Sequence, residues 1–165
     1  MTMEITIRPG VITLVDDADY VFLMQWKWTV NPKGYVNRCV HLGKDDNGKF
    51  RKTTLMMHRL LMSPSPHLQV DHIDGNPLNN QKSNLRICTN SQNQMNSKSR
   101  KSSTSKYRGV SWNTKLKKWV AQIQHKNIKT TIGFYRNEES AALAYNEIAK
   151  SLFGKFARLN ENILV

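Results

Sequence analysis

A chain of 165 residues with 25 Lys and Arg against 12 Asp and Glu carries a formal charge of +13. A surface this basic selects a polyanion as partner, nucleic acid ahead of an anionic membrane. No apolar run approaches the roughly 18 residues that a membrane helix needs, no signal-peptide layout or lipidation motif stands out, and a membrane partner is not expected. Two cysteines, Cys39 and Cys88, stand far apart with no CxxC pair. That excludes a cysteine zinc knuckle, argues against a disulfide framework, and points to a reducing intracellular setting.

Residues 1–57 read as a small, mostly β region. In ITIRPGVITLV apolar and polar residues alternate around a Pro9-Gly10 turn. Asp16 or Asp17 can cap a short helix on which Val21, Leu23, Met24 and Trp28 are the partly periodic apolar positions. Residues 35–42 and 50–55 flank the turn sequence GKDDNGK and predict a hairpin. The run MMHRLLM predicts one or two helical turns over residues 56–62, stopped by Ser63-Pro64-Ser65-Pro66. His58, within that run, is expected to be packed or hydrogen-bonded rather than a ligand. No internal repeat is visible.

The segment QVDHIDGNPLNNQKSNLRICTNSQNQMN, residues 69–96, narrows the chemistry most. Residues 69–73 read as a strand, 74–84 as a connector rich in Gly, Pro and Asn, and 85–88 as a returning strand. A helix is predicted over 91–101, with Thr89 or Asn90 as its cap. Adjacent strand residues face opposite sides, so Asp71 can ligate a hard cation while His72 points away from it as a base. Asp74, Asn76, Asn79 and Asn80 are expected to form turns through side-chain-to-backbone bonds. Asn93 and Asn96 lie three residues apart on one helical face; Asn93 is preferred as the second ligand for its place in the SQN string.

VDHIDGNPLNN, SNLR and SQNQMN together resemble the HNH (ββα-metal) endonucleases, especially the phage and intron-encoded homing type. His72 falls on the first position of the motif, Asn84 on the central Asn, and Asn93 on the final ligand position, where many relatives carry His. The resemblance implies that His72 is the general base, that Asp71 and Asn93 hold one divalent cation, and that Asn84 braces the connector to orient His72. The cation implied is Mg²⁺, with Mn²⁺ possible, and the setting is the cytoplasm of a bacterium or phage-infected host. The reaction implied is attack of water on a phosphodiester, with the cation stabilising charge on the phosphate and the leaving 3′ oxygen.

Residues 99–105 are Ser-rich and basic, and are read as a linker. Beyond them, strand-like runs at 107–113, 118–125 and 129–135 precede a helix over 138–153. Asn137 can cap it, Gly154 can end it, and Ala141, Tyr145, Ile148 and Leu152 form the expected apolar stripe. In the middle strand Trp119, Ala121 and Ile123 are expected to pack on the helix, while Val120, Gln122 and Gln124 face out. YRGV, KKWVAQI, IGFY, AALAY and the closing LN resemble the ethylene-response-factor (AP-two) type DNA-binding domain of plants, also found fused to phage HNH nucleases. That family lays its sheet in the major groove. The resemblance implies Arg108, Ser111, Asn113, Lys118, Gln122, Gln124, Lys129 and Thr131 on the DNA face, with Tyr145 approaching a phosphate. Ser111, Asn113 and Gln124 stand where plant members usually have Arg, so the G/C-rich plant site does not carry over.

Charge divides unevenly. Residues 1–57 hold eight Lys/Arg against six Asp/Glu, residues 58–98 four against two, and residues 99–165 thirteen against four. The expected protein is α+β: a β-rich N-terminal region (1–57), a ββα-metal HNH unit (58–98), the linker (99–105), and a three-stranded antiparallel sheet packed on a C-terminal helix (106–162). Its expected partner is double-stranded DNA, with no obligate protein partner evident. The rival reading is a site-specific DNA-binding regulator whose HNH unit is catalytically silent.

Overall fold

The computed structural model describes residues 1–97, 103–126 and 128–163. It is a mixed α/β chain of small antiparallel sheets and a long C-terminal helix, and it divides into two compact units, Met1–Asn90 and Ser91–Val165. Most of the expected linker, 99–102, lies outside the described residues, as does residue 98 before it.

In the first unit, β1 (Thr2–Arg8) and β2 (Val11–Asp16) pair antiparallel around Gly10, as the alternation predicts. α1 (Asp17–Leu23) follows and is only seven residues long. Of the apolar positions assigned to it, Leu23 is buried but Val21 and Met24 are exposed, and Trp28 lies beyond the helix end. The apolar spacing continues across a turn that ends the helix after Leu23. Trp28 still reaches the core, where its indole N–H donates to the Leu23 carbonyl at 2.8 Å. β3 (Thr29–Val30), β4 (Val36–Lys44) and β5 (Phe50–Met56) form a meander, the last two being the predicted hairpin. α2 (Met57–Met62) stops where Ser63 turns left-handed. Ile5, Val15, Leu23, Trp28, Val36 and Met57 make one core, so β1, β2, α1 and α2 are held by shared apolar burial. β6 (Gln69–His72) and β7 (Leu85–Cys88) complete the unit as an antiparallel pair, joined by the connector and a 3₁₀ turn at Lys82–Asn84.

The second unit begins inside α3 (Asn90–Met95), which ends earlier than the helix expected over 91–101. β8 (Val110–Asn113), β9 (Lys118–His125) and β10 (Ile128–Tyr135) form an antiparallel sheet in the order β10-β9-β8. α4 (Glu138–Phe153) spans the predicted residues, with Asn137 accepting from the Ser140 N–H and Gly154 at the C-cap. Its buried face is Ala141, Ala142, Tyr145, Ala149 and Phe153; Ile148 and Leu152 are exposed, which corrects the expected stripe. Small alanines on the inward side let the helix approach the sheet, and the larger aliphatics lie off the contact. Val120 is also buried, although alternation put it on the outward face.

Ser103, Thr104 and Ser105, assigned to the linker, are bonded into this unit. Thr104 accepts from Trp112 N–H, and the buried Ser105 hydroxyl donates to Glu138 and accepts from Tyr107 N–H.

Gly109, in the YRGV string, has a φ of +74°, and a Cβ there would strike the Tyr145 ring and come within 2.7 Å of the Gln122 carbonyl oxygen. Replacing it with alanine imposes both left-handed strain and overpacking. The second unit should lose about 2–4 kcal/mol, read as a lowered urea midpoint of its transition. An unchanged midpoint would mean that the Tyr145 contact is not constraining.

Candidate active site

Asp71 and His72 end β6, and the register opposes them to Arg86 and Leu85 of β7. Both are buried, at 6% and 4% exposure, so this short strand is covered on both faces. Alternation sends them to different partners. Asp71 Oδ2 accepts from Arg86 Nε at 2.8 Å and from Arg86 Nη2 at 2.6 Å. His72 Nε2 lies 3.3 Å from Asn80 Oδ1.

The Asn80 contact decides the tautomer of His72. Asn80 Nδ2 donates to Thr13 Oγ1 at 2.9 Å and faces the Pro77 carbonyl at 3.3 Å, so its oxygen is the atom turned to His72. Thr13 Oγ1 donates in turn to the Leu78 carbonyl at 2.7 Å, which leaves it an acceptor towards Asn80. An amide oxygen can only accept, so His72 Nε2 carries the proton and Nδ1 carries the lone pair. Burial lowers the His72 pKa below its ordinary value, against opposing effects of the Asn80 bond, Asp74 and Asp71. The ring is therefore a neutral base near pH 7.

The connector is held from both sides. Asn84 Nδ2 donates to Asp74 Oδ1 (3.0 Å) and to the Asn79 carbonyl (2.9 Å), while Asn84 Oδ1 accepts from Asp74 N–H (3.1 Å). Asp74 also accepts from Asn76 N–H and Asn79 Nδ2. Burial works against its charge, but these bonds prevail and lower its carboxyl pKa. Gly75, at φ +68°, lets the chain turn back so that its N–H reaches the His72 carbonyl. From the other side, Leu14 exchanges two backbone bonds with Leu78 and Asn80, and Asp16 accepts from Lys82 N–H. β2 thus runs against the connector as a buttress.

Two further rings complete the site. His58 of α2 packs edge-on to His72 with centroids 5.1 Å apart, and Tyr35 lies 5.4 Å from His58 and 5.8 Å from His72. His58 is buried, and its Nδ1 has no hydrogen-bond partner among the described residues. Its pKa is lowered from 6.5 to about 4, first by burial, then by His72 and Arg59. Packing is the role expected of His58; its neighbour is the unforeseen part. Asn80 is expected to shape the turn, and it also holds the His72 ring through Nε2. Tyr35 and Thr13 carried no sequence signal, because each lies more than 30 residues from His72.

Asn93 and Asn96 lie on and just after α3, within the second unit, and Asn96 is buried. Among the described residues no group of three or more His, Cys, Asp or Glu is placed to hold a metal ion. Asp71 is a carboxylate, a hard donor of the kind that Mg²⁺ prefers, and its Oδ2 already accepts two N–H groups of Arg86.

In the second unit the register sets Lys129 opposite Gln124, Thr131 opposite Gln122, and Asn113 opposite Lys118. Gln122 Nε2 donates to Thr131 Oγ1 at 3.3 Å. Ser111 neighbours Val120 in the same row. Arg108 and Tyr145 are instead joined to each other: Arg108 Nε donates to the buried Tyr145 hydroxyl at 2.7 Å, and its other nitrogens reach Ser97 Oγ and the Gln94 carbonyl at 3.2 Å.

The HNH endonuclease family profile matches residues 63–95, which contain Asp71, His72, Asn84 and Asn93. A protein named as an uncharacterized HNH endonuclease of Acanthamoeba polyphaga mimivirus is 34% identical over 152 residues, 92% of this chain and 76% of the relative. The chain belongs to the HNH endonuclease family. This family member is also 35% identical over 89 residues to Protein 3.8 of Escherichia phage T7, covering 54% of the chain and 73% of that protein. Over 56 residues, a third of its length, it is 46% identical to the dehydration-responsive element-binding protein 2E of Oryza sativa subsp. japonica, 17% of which is covered. No solved structure matches this HNH endonuclease at a significant level. Among its described residues no helix is long and apolar enough to cross a membrane.

Proposed function

We propose that this HNH endonuclease is a metal-dependent nuclease of duplex DNA, of the phage or intron homing type. His72 is its general base. The observation that carries the reading is the chain His72–Asn80–Thr13, which leaves a neutral imidazole with its lone pair on Nδ1. A water proton passes to Nδ1 as the water oxygen bonds phosphorus and the bond to the 3′ oxygen breaks. Asp71 and Asn93 would hold the cation, Mg²⁺ or Mn²⁺, which supplies Lewis-acid stabilisation of the phosphate and leaving oxygen. Asn84 acts by bracing the connector that carries His72, not by touching substrate. The ββα unit is then β6, β7 and α3, within residues 58–98. Residues 1–57 buttress it, and residues 106–162 anchor the duplex through Ser111, Asn113, Lys118, Gln122, Gln124, Lys129 and Thr131. Arg108 and Tyr145 belong to that anchor as a linked pair, one shaping the other.

The second reading is a DNA-binding regulator with a silent HNH unit. It is favoured by the Asp71–Arg86 pair, since a carboxylate already taking two N–H groups of a guanidinium is a weaker cation ligand. Supercoiled plasmid decides between them. With Mg²⁺ or Mn²⁺ the protein should convert it to nicked or linear forms, and a chelator should stop the conversion. Tight duplex binding with no conversion under either cation would establish the regulator.

A further inference from the structure

The β4–β5 hairpin is a ribbon with no core of its own. From His41 to Thr54 every residue except Asp45 is exposed, including Phe50 at 73% and Leu42 at 50%. Its residues hold five cations, Arg38, Lys44, Lys49, Arg51 and Lys52, against Asp45 and Asp46. The rest of residues 1–57 has three cations against four acids, so all the positive excess of this region sits on the ribbon. Among the described residues none of the five is ion-paired. Asp45 is engaged at the tip, where its Oδ1 accepts from the Asn47 and Lys49 N–H groups. Strand alternation places Arg51 on one face and Lys52 on the other, with Lys44 lying over the Phe50 ring, while the half-buried Arg38 guanidinium is stacked 4.3 Å over the Trp26 ring at the foot of the ribbon. Both feet of the ribbon stand at the candidate site: Tyr35, just before β4, and His58, just after β5, both pack against His72.

We propose that the β4–β5 ribbon is a second DNA-binding surface, lying in the major groove beside the phosphodiester to be cut. A groove of about 12 Å admits a two-stranded ribbon and lines it with phosphates on both walls. Cations on both faces meet both walls, whereas a protein partner would cover one face. An isolated hairpin is marginally stable in water, so one exposed on both sides is suited to being held by its ligand. The inference rests on the reading of the chain as a duplex-DNA nuclease and gives that reading a second point of attachment, separate from the C-terminal sheet.

The test uses the full chain and a triple variant, Lys44→Ala, Arg51→Ala and Lys52→Ala, all at exposed positions outside the site. Binding to a mixed-sequence duplex is measured at salt concentrations from about 0.05 to 0.3 M, with circular dichroism to confirm the fold. The slope of log K against log salt should flatten by about 2 to 3, at roughly 0.9 for each phosphate that the variant no longer neutralises. An unchanged slope and affinity in a folded variant overturns the ribbon's role, even if the wild type still cleaves plasmid. A flattened slope in a protein that never cleaves upholds the ribbon and removes only the nuclease reading.

Discussion

Replacing His72 with alanine should slow metal-dependent strand cleavage by about 10²- to 10⁴-fold while duplex affinity stays at the wild-type value. The proposed base role rests on a neutral ring whose Nε2 proton is directed at Asn80, whose own amide is fixed by Thr13 and Pro77. Alanine also empties a place packed by Tyr35 and His58, so thermal unfolding must accompany the assay. Asn80→Asp supplies an independent reading. It keeps an acceptor beside Nε2 but adds a negative charge, which favours the imidazolium. The acid limb of the pH–rate profile should therefore move to higher pH. A wild-type cleavage rate in folded His72→Ala would remove His72 from the chemistry, and an unmoved acid limb in Asn80→Asp would remove Asn80 from its control.

The second large effect is on stability. The first unit should lose on the order of 3 kcal/mol as pH falls from 6.5 towards 4, through His58. Its folded pKa of about 4 lies below the ordinary 6.5, so over this interval the unfolded chain binds the extra proton. The contribution is complete above pH 6.5, declines through the interval, and levels off below the folded value. His72 shifts in the same direction and lies 5.1 Å from His58, so the two titrate as a pair and each proton opposes the other. His58→Phe keeps an aromatic ring against Tyr35 and His72 but removes the titrating group. Urea midpoints at about pH 7 and pH 4.5 should differ widely in the wild type and much less in His58→Phe. Equal acid losses in both proteins would place the sensitivity elsewhere.

The site joins groups from four parts of the first unit, and this has a physical consequence for substitutions far from His72 in sequence. Thr13 is buried and reaches His72 only through Asn80. Losing its hydroxyl leaves Asn80 Nδ2 without that partner and frees the amide to turn, which would weaken the tautomer preference without touching the base. Asn84, by contrast, works on the backbone, through bonds that hold Asp74 and Asn79.

Local chemistry was enough to read much of this chain. Pro9-Gly10, the alternation on either side of it, the caps at Asn137 and Gly154, and the strands at 69–72 and 85–88 depend on neighbours a few residues away, and each appears where its pattern puts it. The connector was legible for the same reason, since the Asp74 and Asn76 side chains accept from backbone N–H groups two residues on, and Asp74 also accepts from the Asn79 side chain five residues on. Which side of α4 faces the sheet was not. Ile148 and Leu152 are the stronger apolar signals, but close approach to the sheet selects Ala149 and Phe153, and no pattern within the helix states that distance. The surroundings of the base were hidden more completely. Tyr35, His58 and Thr13 meet His72 or its partner across 14 to 67 residues of chain, because the fold packs α2 and the residue before β4 against the end of β6 and ties β2 to the connector. The sequence by itself determined the order of the motif residues Asp71, His72, Asn84 and Asn93 on which the proposed chemistry rests. Only the tertiary structure decided that His72 is neutral and protonated on Nε2, because burial and a single oriented amide are properties of the packed site and not of the motif.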